Sequence, residues 1–162
     1  MMPVIGKFDR YPLMRQTARW EWELGEAVTF NDPEVGAITV PAGYRSDLAS
    51  IRILREIFRR SAIVGLVLAV LSPLLDFAFG LAVAAWVLAA LAILLYAAIA
   101  GYGNRMGAVH DFLYSQAKLP KALCDQVLWR MARTGEGMAR WRAAIFYLGP
   151  VLGGAKHYGC KG

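Results

Sequence analysis

The sequence predicts an α+β domain that is interrupted by a transmembrane helical hairpin. Short alternating segments and turns fill the first fifty residues and predict a small N-terminal antiparallel sheet. Helical apolar spacing dominates the C-terminal half, so we expect the sheet to pack on helices. Between these parts lies an apolar segment, 61–100, in which Asp76 is the only charged residue. We therefore expect residues 1–60 and 101–162 to form one domain around an insertion.

The composition supports this division. The 162 residues are 57% hydrophobic and 19% charged, which is unusually apolar for a soluble domain. Because the apolar excess is confined to 61–100, the pattern excludes a disordered chain, a coiled coil and a polytopic transporter. The net charge of +6 is spread along the chain, and its densest group lies beside the apolar segment. Basic residues beside an apolar segment are typical of contact with anionic lipid headgroups, and no nucleic-acid-binding motif accompanies them. We therefore expect no nucleic-acid partner.

Three short strands are predicted in the N-terminal region. Arg19–Leu24 alternates tryptophan with glutamate, which indicates a strand with one buried face. Ala27–Phe30 and Ala37–Val40 follow and are separated by an Asn-Asp-Pro turn. Since Trp20 and Trp22 fall on one face of the first strand, we expect both rings in the core beneath the sheet.

A basic amphipathic helix is predicted at Leu48–Arg60. Apolar residues recur in it at helical spacing, at Leu48, Ile51, Leu54 and Phe58. Ser46 or Asp47 is suited to cap its first turn, because either side chain accepts a hydrogen bond from a free backbone N–H group. This helix leads directly into the apolar segment.

The apolar segment 61–100 is long enough to cross a membrane twice. At about 1.5 Å per residue, forty helical residues reach twice across a hydrocarbon core of about 30 Å. We predict a short first pass at Ala62–Leu75, a break near Asp76, and a full second pass at Phe77–Tyr96. A hairpin buried in a soluble protein is disfavoured, because a domain of this size cannot cover so much apolar surface.

Positive charge beside the hairpin predicts its orientation. The flanking arginines that indicate the cytoplasmic side are Arg55, Arg59, Arg60 and Arg105. We therefore expect a bacterial inner-membrane protein with both termini and the folded domain in the cytoplasm, and with the lipid bilayer as one partner.

Three further helices are predicted after the hairpin. They are Met106–Ala117, Leu119–Arg133 and Met138–Leu148. The first two are joined by a short connection, which predicts an antiparallel pair.

This helix pair carries the residues best suited to chemistry. His110 and Tyr114 lie on one helix face, and Asp111 lies about 100° around the axis. Asp125, fifteen residues after the histidine, is expected beside it on the next helix. A carboxylate that fixes the tautomer of a histidine makes it a general base, so His110 and Asp125 are the candidate catalytic pair. A buried pair that holds the two helices together is the alternative explanation of the same residues.

Two blocks of the sequence resemble a phage and prophage family called domain of unknown function thirteen fifty-three. The matching stretches are Val40–Tyr44, Ser46–Ile51 and His110–Tyr114, followed by Asp125 and Met131. The family has Thr where this chain has Ser46, and Pro where it has Arg52, and neither change removes an ionisable group. The resemblance implies a phage or prophage origin and no established activity. It also implies that the hairpin is an insertion in the loop between the blocks.

A second resemblance is local. The stretch His110–Ala117, followed by an Asp on the next helix, is similar to the catalytic helix pair of secreted, bacterial and parvoviral phospholipases A2. It implies that His110 activates water, Asp111 binds calcium and Asp125 orients the histidine. The glycine-rich calcium loop of those enzymes is poorly matched by Gly101–Asn104.

Asp47 extends these possibilities. The family pattern contains it together with His110 and Asp111, so these residues and Asp125 are a candidate site for a divalent cation, calcium or zinc. As a helix cap Asp47 needs no metal, and this alternative stays open.

Two functions follow from these expectations. One is a phage-encoded hydrolase at the membrane, directed at lipid, with His110 as its base and a divalent cation as a candidate cofactor. The other is a non-catalytic phage membrane or virion accessory protein that docks a phage or host protein. Such a protein would serve DNA entry, lysis, superinfection exclusion or assembly, with a structural His–Asp pair.

Overall fold

The structure, a computed structural model, describes residues 5–72 and 79–159. Within these ranges the fold is α+β, with small antiparallel sheets and five α-helices. The described residues divide into two compact units. The sheet–helix unit contains the residues up to Arg52 and those from Gly103 onward, and the hairpin unit is Ile53–Tyr102. The hairpin unit contains the predicted 61–100 insertion together with its flanks.

Five strands build the sheets of the sheet–helix unit. They are β1 (Met14–Ala18), β2 (Glu21–Leu24), β3 (Val28–Asp32), β4 (Gly36–Val40) and β5 (Arg45–Ser46). A three-stranded antiparallel sheet has the order β1-β2-β5, and β3 pairs with β4 in a separate two-stranded sheet. The sequence predicted the second, third and fourth strands. It missed β1, whose exposed residues do not alternate, and β5, which has only two residues.

The two tryptophans near the first hairpin do not form the core. Trp20 lies in the turn between β1 and β2 and Trp22 lies on β2, and both are only half-buried. The guanidinium of Arg52 lies 5.6 Å from the ring centre of Trp20 and makes a cation–π contact with this half-buried ring.

Aliphatic, aromatic and thioether side chains from strands and helices form the core instead. The fully buried members include Leu24, Val28, Phe30, Val40, Met106, Leu128, Met131 and Phe146. The strand residues and the helix residues of this set are therefore buried in the same compact unit.

Three helices complete the sheet–helix unit: α3 (Asn104–Gln116), α4 (Lys121–Arg130) and α5 (Arg140–Gly153). A single π-helical turn, Met131–Gly135, extends α4, so the predicted helix ends near its expected position. In contrast, α5 continues five residues beyond the predicted end and contains Pro150 in its last turn.

The hairpin unit is built from two long helices, α1 (Ala49–Leu71), which begins in the sheet–helix unit, and α2 (Phe79–Ile99). They approach closely, because a Cβ placed on Gly65 would lie only 3.0 Å from the Cα of Ala89. Such contacts between small residues are typical of helices packed in lipid. The predicted break near Asp76 lies outside the described residues.

Candidate functional site

The connection between α3 and α4 brings the candidate pair together. Ala117 ends α3 in a left-handed conformation (φ 47°), and its N–H donates to the carbonyl of Leu113. The chain then reverses into α4, as the short connection predicts. As a result, Nε2 of His110 lies 3.2 Å from Oδ1 of Asp125.

Two further side chains hold the same carboxylate. The hydroxyl of Tyr114 donates to Oδ1 of Asp125 at 2.5 Å, and Nζ of Lys121 donates to Oδ2 at 2.7 Å. The ammonium of Lys121 also donates to the carbonyl of Pro150 on α5 at 3.0 Å. The Asp125 cluster, as we call His110, Tyr114, Lys121 and Asp125, therefore connects α3, α4 and α5.

The surroundings fix the charge of this cluster. Burial raises the pKa of Asp125, but the three hydrogen bonds that it accepts lower the pKa by more, so it lies below its usual range. Burial and the adjacent carboxylate raise the pKa of Tyr114 far above neutrality. At neutral pH Asp125 is thus ionised and Tyr114 is a neutral donor, and Nε2 of His110 donates to the carboxylate.

Solvent does not reach the histidine. The side chain of His110 has no exposed surface, and that of Asp125 is 4% exposed, whereas a quarter of Lys121 is accessible. A general base must reach its water or substrate within hydrogen-bonding distance. The cluster therefore contains the residues of a catalytic dyad, but in this conformation it is as deeply buried as a structural hydrogen-bond network.

Asp111 points to a different neighbour. Its Oδ2 accepts a hydrogen bond of 2.6 Å from the hydroxyl of Ser46, at the end of β5. Next to this contact, the rings of Tyr44 and Phe112 pack edge to face with centres 5.3 Å apart. The stretches that contain Tyr44 and Ser46 and those that contain Asp111 and Phe112 therefore meet in space.

Asp47 lies at the start of α1. Its Oδ1 accepts a hydrogen bond from the N–H of Ala49 at 3.1 Å, and its Oδ2 lies 3.4 Å from the guanidinium of Arg52. Half of the Asp47 side chain is exposed. This is the cap geometry that the sequence left open as the alternative to a metal ligand.

The predicted ligands do not assemble a cation site. In the described part of the chain, no group of three or more His, Cys, Asp and Glu side chains is close enough to hold a metal ion. Asp125 is held by its cluster, Asp111 by Ser46 and Asp47 by its own helix. Since calcium needs about six to eight oxygen ligands, these residues fit neither a calcium nor a zinc site in this arrangement.

Sequence reasoning missed Lys121 and the binding role of Tyr114. The four-residue spacing of Lys121 and Asp125 on one helix was the available signal, because it places an ammonium beside a carboxylate.

Arg105, one of the four arginines that are predicted to mark the cytoplasmic flank, is buried in the sheet–helix unit. Its side chain is only 6% exposed. The guanidinium lies between the rings of Phe8 and Tyr11, 3.9 and 3.7 Å from their centres, and 3.0 Å from the carboxylate of Glu136. Arg105 therefore stabilises the sheet–helix unit.

No protein-family model matches the chain, and no curated protein or solved structure is significantly similar to it. The resemblance to the phage family stays a prediction. The fold and the site define the chain as an α+β unit with a buried ionic cluster, interrupted by an apolar helical hairpin.

Proposed function

We propose that this chain is a membrane-anchored, phage- or prophage-encoded accessory protein. In this proposal the hairpin unit inserts into the inner membrane and holds the sheet–helix unit at the cytoplasmic surface. That unit docks a phage or host protein and performs no catalysis. The observation that carries the proposal is the exposed apolar surface of the hairpin.

Most of the apolar surface of α2 is exposed in the described structure. Its segment Gly80–Ile99 has a mean hydropathy of 2.5 over its most apolar window, and only 17% of that window is buried. Exposed large side chains on this helix include Leu81, Trp86, Val87, Leu88, Leu91 and Leu94. Soluble monomers rarely expose apolar patches of more than a few hundred Å². A bilayer removes this cost, since hydrocarbon surrounds the same side chains.

The other hairpin helix has two different halves. Its first half carries charged residues, which are Arg52, Arg55, Glu56, Arg59 and Arg60. Its second half exposes Ile63, Val64, Leu66, Val67, Leu68 and Val70. By length and composition α2 qualifies as a membrane span by itself, and α1 does not. We place the charged half of α1 among the lipid headgroups and its apolar half in hydrocarbon.

The burial of the Asp125 cluster supports the non-catalytic alternative. A lipid hydrolase with His110 as base needs water and an ester carbonyl at that ring, and the ring is fully buried. The cluster instead satisfies a buried carboxylate with three donors and connects three helices.

Carbonate extraction of membranes from cells that express the full chain tests the anchor. We expect the chain to stay in the membrane pellet. The double variant Leu88→Lys with Leu91→Lys is expected to become soluble, because each charge at the centre of a span costs about 3 kcal/mol. As the matched control, Leu13→Lys alters a leucine that is 73% exposed in the sheet–helix unit, and this variant should stay in the pellet. Full extraction of the unaltered chain would contradict the proposal.

A further inference from the structure

The outward face of α5 is apolar. Trp141, Leu148 and Leu152 are 52%, 50% and 83% exposed. At 100° per residue, these three positions fall within about 40° of one another on the helix surface. We call Trp141, Leu148 and Leu152 the α5 stripe.

The α5 stripe is not the core-facing side of its helix. The buried residues of α5 are Ala143, Phe146 and Pro150, which lie on the opposite side. An ordinary amphipathic helix directs its polar residues away from such a core. Here both faces are apolar, so the outer one is available to bind a second apolar phase.

The sequence that contains the stripe carries charge of one sign. Residues 137–162 contain no Asp or Glu, and their basic residues are Arg140, Arg142, Lys156 and Lys161. Arg140 is exposed, and the guanidinium of Arg142 lies 5.2 Å from the ring centre of Trp141. Tryptophan and arginine beside exposed leucines are typical of helices that lie in the membrane interface.

We propose that the α5 stripe binds the surface of an anionic bilayer, with the helix lying in the interface plane. The inference rests on the proposed function, because the hairpin tethers the sheet–helix unit to the same membrane through its two chain connections. The stripe enters the boundary between headgroups and acyl chains, and Arg140 and Arg142 bind lipid phosphates. The contact restrains the unit at the membrane surface.

Tryptophan quenching by lipids with brominated acyl chains tests this inference in the full chain. The protein is reconstituted into phosphatidylcholine vesicles with or without phosphatidylglycerol. Comparison with Trp141→Phe isolates the emission of Trp141. Comparison with Trp86→Phe isolates Trp86 on α2, which reports insertion of the hairpin. We expect Trp86 to be quenched in both lipids, and Trp141 about twofold only in the anionic vesicles.

Paired charge variants test the role of the basic residues. Arg140→Gln with Arg142→Gln should abolish the quenching of Trp141. Arg15→Gln with Arg19→Gln removes the same charge from exposed positions in the sheet region and should leave the quenching unchanged. If Trp86 is quenched while Trp141 is not, the inference is wrong and the anchor stands. If neither is quenched, the anchor itself fails. Equal quenching of Trp141 in both lipids contradicts recognition of anionic lipid.

Discussion

The hydroxyl of Ser46 donates a 2.6 Å hydrogen bond to the carboxylate of Asp111, 65 residues further along the chain. The same hydroxyl accepts a hydrogen bond from the N–H of Leu48 at 3.0 Å. Leu48 is buried and has a φ of 52°, a conformation that costs a side chain about 1–3 kcal/mol. The contact between Ser46 and Asp111 therefore stabilises a strained turn just before α1.

Removal of the Ser46 hydroxyl should destabilise the sheet–helix unit. We expect Ser46→Ala to lower the free energy of unfolding by about 2 kcal/mol, because a charge-assisted hydrogen bond and a bond to a buried N–H are lost together. Ser46→Thr keeps the hydroxyl and should retain most of the stability. Urea titration in detergent, followed by tryptophan fluorescence, measures both variants. Equal midpoints for Ser46→Ala and the unaltered chain would refute this role.

Neutralisation of Asp125 should be more damaging than neutralisation of an exposed carboxylate. Asp125→Asn removes the charge that Lys121 and the His110 ring bind, and we expect a loss of about 3 kcal/mol. Asp47→Asn is the matched control. Asparagine caps a helix as well as aspartate does, and the ion pair with Arg52 is exposed, so its loss should stay below about 1 kcal/mol. Similar losses in the two variants would show that the Asp125 cluster does not stabilise the fold.

Acid should weaken the fold through Asp125 and Asp32. Burial raises the pKa of Asp32, but hydrogen bonds from Arg130 and from two backbone N–H groups lower it below its usual range, as happens at Asp125. The unfolded chain therefore binds protons at a higher pH than the folded chain. The stabilisation is present above about pH 4 and is lost as the pH falls through the folded values. Unfolding titrations from neutral to acidic pH measure this effect.

Two variants assign the acid effect to its source. Asp125→Asn should reduce the fall in stability below about pH 4, because this position no longer titrates. Asp32→Asn should reduce this fall as well, because hydrogen bonds from Arg130 and two backbone N–H groups also lower the pKa of this carboxylate. A slope unaffected by Asp125→Asn would place the acid sensitivity elsewhere.

The His110 ring should matter for stability and not for lipid turnover. We expect the purified chain to release no fatty acid from phospholipid vesicles, with calcium or with chelator, because the ring is fully buried. His110→Ala should lower the free energy of unfolding by about 2 kcal/mol through the loss of a hydrogen bond and buried packing. Calcium-dependent release that disappears in a folded His110→Ala protein would instead establish the hydrolase.

The spacing of apolar residues along the sequence predicted the helices and strands whose form depends on near neighbours in the chain. The α3–α4 pair follows from helical spacing and a short connection, and it places Asp125 beside His110. The strand β1 was missed because its sequence has no alternation, and its position depends on pairing with β2. The ion pair between Arg130 and Asp32 joins residues 98 positions apart, and no local pattern signals such a contact.

Burial was the main property that the sequence left open. A catalytic His–Asp pair and a structural one have the same residues at the same spacing, so the sequence does not distinguish them. The burial of His110 depends on packing between distant residues. The ring of Tyr114 lies against the His110 ring, with centres 4.1 Å apart, and the ring of Tyr158 lies against Tyr114. Burial was also unpredictable for Arg105. In the sequence it lies next to an apolar segment, as a membrane-flanking arginine does, but in the structure its guanidinium packs against two aromatic rings.

Protease protection tests the central claim, insertion of the hairpin with both ends in the cytoplasm, most directly. The full chain carries an epitope tag at each terminus and is digested with proteinase K in intact spheroplasts and in inverted inner-membrane vesicles. We predict that both tags survive in spheroplasts and are lost in inverted vesicles. A fragment that contains α2 should persist in those vesicles until detergent is added. Digestion of α2 in sealed vesicles, or loss of either tag in intact spheroplasts, would contradict the account.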